Sequence, residues 1–150
     1  MAVTERCLLV NLGGAIFGVS LRQLISVEPM ARVMPIPRVP AWLLGVTYRQ
    51  GRVISVVDLA AMLQLSTALD RDAKDARLLI ATEGDFSAAL AVPLTTEVFN
   101  VAPEQVGPIA PLPDRPVNRF LTGQVNYGEQ LFGLLDLGCL MRSPEFMLTA

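Results

Sequence analysis

At 150 residues the chain is the size of one ordinary domain, or of two very small ones that share a core. Hydrophobic residues make up 52% of it and charged residues 17%, which is too little charge to cover the outside and leaves apolar surface for partners. A net charge of −2 with scattered basic residues gives no electrostatic ground for binding nucleic acid, and no apolar run approaches the roughly 18 residues that a membrane span needs.

The opening "MAVTERCLLVNLGG" carries Glu5 and few apolar residues before two glycines, so it does not read as a signal peptide. "RCLLVNL" is a strand ended by the turn Gly13-Gly14, and "AIFGVSL" is its return strand. Leu21, Leu24 and Ile25 then fall at helical spacing after Ser20, an N-cap residue type, and predict a short amphipathic helix. "PIPRVP" at 35–40 excludes helix and central strand and predicts an extended loop. Two more strands follow around a turn at Gln50-Gly51-Arg52, and "LAAMLQL" at 59–65 closes the half as a short helix. The polar stretch "STALDRDAKDA" at 66–76 is a connector.

The same order then recurs. "RLLIATE", the turn Gly84-Asp85, "SAALAVPL", the prolines of "PLPDRP" at 111–116, a turn at Tyr127-Gly128-Glu129 and the helix "LGCLMR" repeat the first half. A shift of 78 residues sets Leu43 on Leu121, Gly45 on Gly123, Asp58 on Asp136 and Leu59 on Leu137, with Trp42 meeting Phe120 and Val53 meeting Leu131. "VSLRQLISV" and "VPLTTEVFN" match more loosely upstream. The period is too long for a solenoid and points to duplication, and short strands with tight turns in each half favour small β-barrels over an open sheet.

The chain has no histidine, the commonest general base and metal ligand, and its two cysteines lie far apart among leucines. Cys7 and Cys139 are therefore expected to be unbridged and largely buried, as fits a cytoplasmic protein. No metal site, no cofactor and no nucleotide loop are expected, since Gly-x-Gly-x-x-Gly, a phosphate loop and Gly-x-Ser-x-Gly are all absent. Asp58 and Asp136 each end an apolar run and precede a short helix, so they are expected to be helix N-caps. The competing reading makes them a catalytic carboxylate pair, with Glu97 or Glu104.

The order of Pro-rich loop, "WLLGVTYRQGRVISVVDL" and, later, "LTGQVNYGEQLFGLLDL" resembles the CheW family of chemotaxis coupling proteins over roughly residues 5 to 142. The resemblance implies a mainly β fold of two SH3-like five-stranded β-barrel subdomains about a pseudo-twofold axis, with short helices. It implies one domain over 1–150, with a first subdomain over about 15–70, a second over about 77–135 and terminal segments crossing between barrels. It also implies a non-catalytic adaptor between a chemoreceptor's cytoplasmic tip and the regulatory domain of a CheA-type histidine kinase, without direct membrane insertion, at receptor arrays serving chemotaxis or pilus motility. By matching position, Gln50, Gly51, Thr95 and Val98 would face a receptor groove, and Leu24, Ser26, Arg49 and Arg52 are further contact candidates.

Three positions depart from the family pattern. Gln50 stands where an arginine is usual, Ser26 where an acidic residue is usual, and Ser55 at a usual proline. Arg49 and Arg52 flank the missing charge, although a cation one residue along a strand is expected to point to the opposite face. The departures raise the alternative of a diverged member that keeps the kinase but not a standard receptor.

Overall fold

The computed structural model describes residues 4–65, 69–70, 72–109, 116–127 and 129–147. In the first half, strands β1 (Glu5–Leu12), β2 (Ala15–Ser20), β3 (Leu24–Pro29), β4 (Leu43–Arg49) and β5 (Arg52–Asp58) lead into helix α1 (Leu59–Met62). The second half runs β6 (Arg77–Glu83), β7 (Phe86–Val92), β8 (Leu94–Val101), β9 (Val106–Gly107), β10 (Leu121–Tyr127) and β11 (Gln130–Leu135), then α2 (Leu137–Met141) and α3 (Pro144–Met147).

These strands form a five-stranded sheet in the order β3-β6-β7-β5-β4 and a six-stranded sheet in the order β8-β1-β2-β11-β10-β9. Replacing each strand by its repeat partner converts the first order into the second, with β9 as the only addition. The sheets therefore do not coincide with stretches 15–70 and 77–135. Hairpin β6–β7 completes the sheet of β3, β4 and β5, and hairpin β1–β2 completes the other, so the halves exchange their first hairpins. The exchange is sealed by one parallel pairing in each otherwise antiparallel sheet, with Val57 opposite Leu90 in one and Leu135 opposite Val19 in the other. The mainly β architecture of two small sheets with few short helices is consistent with a pair of SH3-like barrels.

Alternation explains why β6 and β7 are apolar almost throughout. Leu78, Ile80, Ala89 and Ala91 line the inside of the first barrel with Ile54 and Val56. Their neighbours Leu79, Ala81, Leu90 and Val92 point the other way, into the core shared with Leu8, Val10, Leu12, Phe17 and Val19 of the exchanged hairpin. Cys7, Leu9, Val125 and Phe132 line the inside of the second barrel. A strand buried on both faces needs no polar residue, and burial of its side chains contributes about 1.5–3 kcal/mol for each large aliphatic.

The chain after β3 doubles back over β4, where the Met34 N–H donates to the Val46 carbonyl at 2.8 Å and the Val46 N–H to the Met34 carbonyl at 2.9 Å. In the other sheet β9 makes the equivalent crossing, pairing Gly107 with Gln124 and Val106 with Val125. Each crossing needs a glycine underneath. A Cβ on Gly45 would collide with the Met34 carbonyl oxygen, and one on Gly123 would sit 2.6 Å from Val106 Cγ1.

Two sequence expectations are corrected. Ser20 does cap a helical turn, accepting from the Arg22 N–H, but the turn is 3-10 and ends at Gln23. Leu24 and Ile25 belong to β3, because the run Leu-Ile-Ser-Val finds a partner strand in β6, with Val27 opposite Leu79. Cys7 is buried but Cys139 is only half-buried, since it lies on the outer side of the short α2. Both thiols are free. The loop 35–40 is irregular, as its prolines require. Residues 111–115 of the second proline run, residues 66–68 and 71 of the connector, and Gly128 lie outside the described residues.

Candidate functional site

Asp58 and Asp136 cap α1 and α2, but with different second partners. Asp58 is 2% exposed, and its Oδ1 accepts from the Ala61 N–H at 3.2 Å while Oδ2 accepts from the Leu69 N–H at 3.0 Å. Asp136 is half-buried, and its Oδ1 accepts from the Cys139 N–H at 3.0 Å and from the Gln23 side-chain amide at 3.1 Å. The Gln23 carbonyl oxygen also accepts from the Leu137 N–H at 3.1 Å, so one amide links the first half to the second helix. Glu97 is exposed on β8 and Glu104 is exposed in the 3-10 turn that follows it. Each carboxylate caps its own helix and takes one more donor, Leu69 or Gln23, at the ends of two separate sheets, and among the described residues no group of three His, Cys, Asp or Glu side chains could hold a metal.

A polar constellation that includes several of the expected contact residues lies at the open end of the first sheet. Tight β4–β5 pairing leaves two residues to make the turn, Gln50 at φ 49 and Gly51 at φ 80, both positive as a type I′ hairpin turn demands. Glycine adopts that conformation freely, whereas Gln50 is held there by the hairpin register. Arg49 and Arg52 are then directly opposite one another, an unfavourable pair of like charges.

Glu28 offsets one of them. Arg49 Nη2 donates to Glu28 Oε2 at 2.7 Å, its Nε donates to both oxygens, and Nη2 also reaches Ser26 Oγ at 3.2 Å. Ser26 Oγ in turn donates to Glu28. Hydrogen bonds from Arg49, then from Ser26, hold the Glu28 carboxyl below the usual carboxylate range. Because β3 and β4 are the two outermost strands of the five-stranded sheet, this ion pair can form only if the sheet curls until its edges meet. The clasp thus closes the first barrel.

Beside the clasp is a cavity of about 200 Å³. Arg49, Gln50 and Arg52 rim it and Ile25, Ile54 and Ile80 supply its apolar wall. The expectation that the arginines flanking position 50 would face away from it does not hold, because Gln50 is in the turn, where period-two alternation lapses. Arg52 is exposed and has no polar partner among the described residues. On the opposite face of the same hairpin, Tyr48 and Val53 form an exposed cross-strand pair, 69% and 61% accessible.

The proposed contact residues therefore fall in two places. Ser26, Arg49, Gln50, Gly51 and Arg52 gather at the end of the first sheet. Thr95 and Val98 lie on edge strand β8 of the second sheet, opposite Val10 and Leu8, with Val98 45% exposed. Leu24 packs partly against the shared core. Sequence reasoning missed Glu28, although a glutamate two residues beyond Ser26 on one strand face was the available signal. Nothing local marked Ile80, which arrives from the other half of the chain.

Comparison with known proteins adds three findings. Residues 6–145 match the model of the CheW-like domain. The chain is 22% identical over 147 residues to a chemotaxis protein CheW of Klebsiella aerogenes, covering 97% of this chain and 87% of that protein. Its fold matches the crystal structure of the scaffolding protein TtCheW from Thermoanaerobacter tengcongensis with a TM-score of 0.82 at 18% identity, covering 95% and 96% of the two chains.

Proposed function

Because the chain belongs to the CheW-like domain family, and so to a group of non-catalytic chemotaxis scaffolds, we propose that it couples a chemoreceptor to a CheA-type histidine kinase. The observation that carries this reading is the extent of the family match, which spans both sheets and both exchanged hairpins rather than one of them. In this reading the protein works in the cytoplasm at a membrane-associated receptor array, and none of its helices, among the described residues, is long and apolar enough to cross a membrane. The receptor's helical tip lies against the surface that includes Gln50, Gly51, Thr95 and Val98, with Leu24, Ser26, Arg49 and Arg52 beside it. An apolar stripe of that helix meets aliphatic side chains, a mode in which a few anchors carry most of the affinity. The kinase's regulatory domain occupies a different surface, and the two bind together.

Separate titrations of the purified protein with a receptor tip and with the kinase regulatory domain test the reading. Binding to both supports coupling, and binding to neither would end it. A second reading is favoured by Gln50 and Ser26, which replace a usual arginine and a usual acid: a diverged scaffold that binds the kinase and not a standard receptor. Restoring the arginine with Gln50→Arg separates the two. Under coupling it tightens binding to a standard tip while kinase affinity stays constant, since charge-assisted hydrogen bonds contribute about 1.5–3 kcal/mol each.

A further inference from the structure

We propose that Arg52 receives a carboxylate of the receptor's helical tip, while an aliphatic side chain beside that carboxylate enters the cavity walled by Ile25, Ile54 and Ile80. The inference rests on the coupling reading and names the chemistry of its contact. It follows from a charge balance at the open end of the first barrel. Arg49 and Arg52 face each other across the hairpin, and Glu28 neutralises only Arg49. Arg49 spends its Nε and Nη2 donors on Glu28 and Ser26, which fixes its fork in the plane of the clasp. Gln50 brings no charge. Arg52 is left as an exposed guanidinium without an acceptor among the described residues, next to a small hollow in which Ser87 and the arginines adjoin the three isoleucines. A like-charged neighbour and an unused planar donor set favour an anion, and a guanidinium matches a carboxylate through two parallel hydrogen bonds. The hollow, about 200 Å³, is the size of one aliphatic side chain with room for water, so the complementary motif is an acidic residue one helical turn from Leu, Ile or Val. Arg52 is thereby a specificity residue, occupying by geometry the role that position 50 does not fill.

The test uses the protein, the cytoplasmic tip of a chemoreceptor from the same organism, and a CheA-type kinase regulatory domain as a second probe. Arg52→Ala should weaken tip binding about tenfold and Arg52→Glu about a hundredfold, with kinase affinity unchanged. Arg6→Glu, an equal charge change at an exposed position on the other sheet, should leave tip binding within about twofold, which separates a local contact from the effect of net charge. Replacing the matching acidic residue of the tip by arginine should restore binding to Arg52→Glu and to no other variant. If the wild-type protein binds the tip and the Arg52 variants bind it equally well, the inference is overturned and coupling stands. Loss of kinase binding instead of tip binding would also overturn it, by assigning the hollow to the kinase. Failure of the wild-type protein to bind any receptor tip would remove the coupling reading and this contact with it.

Discussion

The two sheets use one strand order, yet the chain closes them by different means. In the five-stranded sheet the crossing segment meets β4 through the Met34–Val46 backbone pair and the Thr47 hydroxyl, which donates to the Arg32 carbonyl at 2.8 Å, and the edges are drawn together by the Glu28–Arg49 clasp. In the six-stranded sheet the crossing segment is a two-residue strand, β9, and the repeat positions of Glu28 and Arg49 are Val101 and Tyr127. Val101 is buried in the second barrel's interior. Both barrels use backbone pairing at the crossing, and the first adds a charged pair at its rim where the second has a buried valine. The difference leaves the closing ion pair at the rim of the first barrel, beside Arg52, which has no polar partner among the described residues.

The glycines under the two crossings give the largest test of this contrast. At Gly45 the obstructing atom is a backbone carbonyl, and φ is +143, so Gly45→Ala must displace the crossing chain; a loss of about 3 kcal/mol or more is expected in urea unfolding. At Gly123 the nearest obstacle is a valine methyl that can rotate, and Gly123→Ala is expected to cost about 1–2 kcal/mol. Equal losses would show that the crossings are equally rigid.

The caps come next in size. Asp58→Asn replaces one of two used oxygens of a buried side chain by a donor facing a backbone N–H, and should cost about 1–3 kcal/mol. Asp136→Asn can keep its single used oxygen in place, and should cost less than about 1 kcal/mol. A larger effect at Asp136 would mean that the Gln23 bridge, and not burial, sets the strength of a cap.

The clasp has a smaller effect, with a pH signature. The two side chains are 20% and 35% exposed, so Glu28→Gln should cost about 0.5–1 kcal/mol at pH 7. The folded protein holds Glu28 below its ordinary 4.5, so the clasp's contribution is complete above that pH and fades as pH falls below it. The stability difference between wild type and Glu28→Gln should therefore shrink under acid, and a difference that stayed constant down to pH 2 would remove the clasp from the account.

The thiols give a contrast that involves no stability change. Burial, reinforced by Glu5, pushes the Cys7 thiol up to about 11, whereas Cys139 is half-buried on α2. Native-state titration at pH 8 should find one slowly modified thiol and one faster one, assigned to Cys139 by Cys139→Ser. Two equally slow thiols would place α2 deeper than it lies.

Much of this was legible locally. Strand period, the glycine turns and the Asp caps are short-range statements, since a hydrogen-bonding cap or a two-residue turn is completed by neighbours in sequence, and the 78-residue echo is read by laying one half on the other. The amphipathic spacing of Leu21, Leu24 and Ile25 misled for the same reason: it fits a helix as a local pattern, and only the presence of β6 alongside turned it into strand. Alternation likewise marks Leu78 and Leu79 as facing opposite sides without saying that one side is the first barrel and the other the shared core. Backbone donors and acceptors are the same in every strand, so nothing in β6 or β1 specifies which half's sheet it completes; the exchange was decided by the fit of whole apolar faces. The Glu28–Arg49 pair depends on that fit in turn, because two strands at opposite edges meet only after the five between and including them have curled, and the charge left on Arg52 is set by that closure.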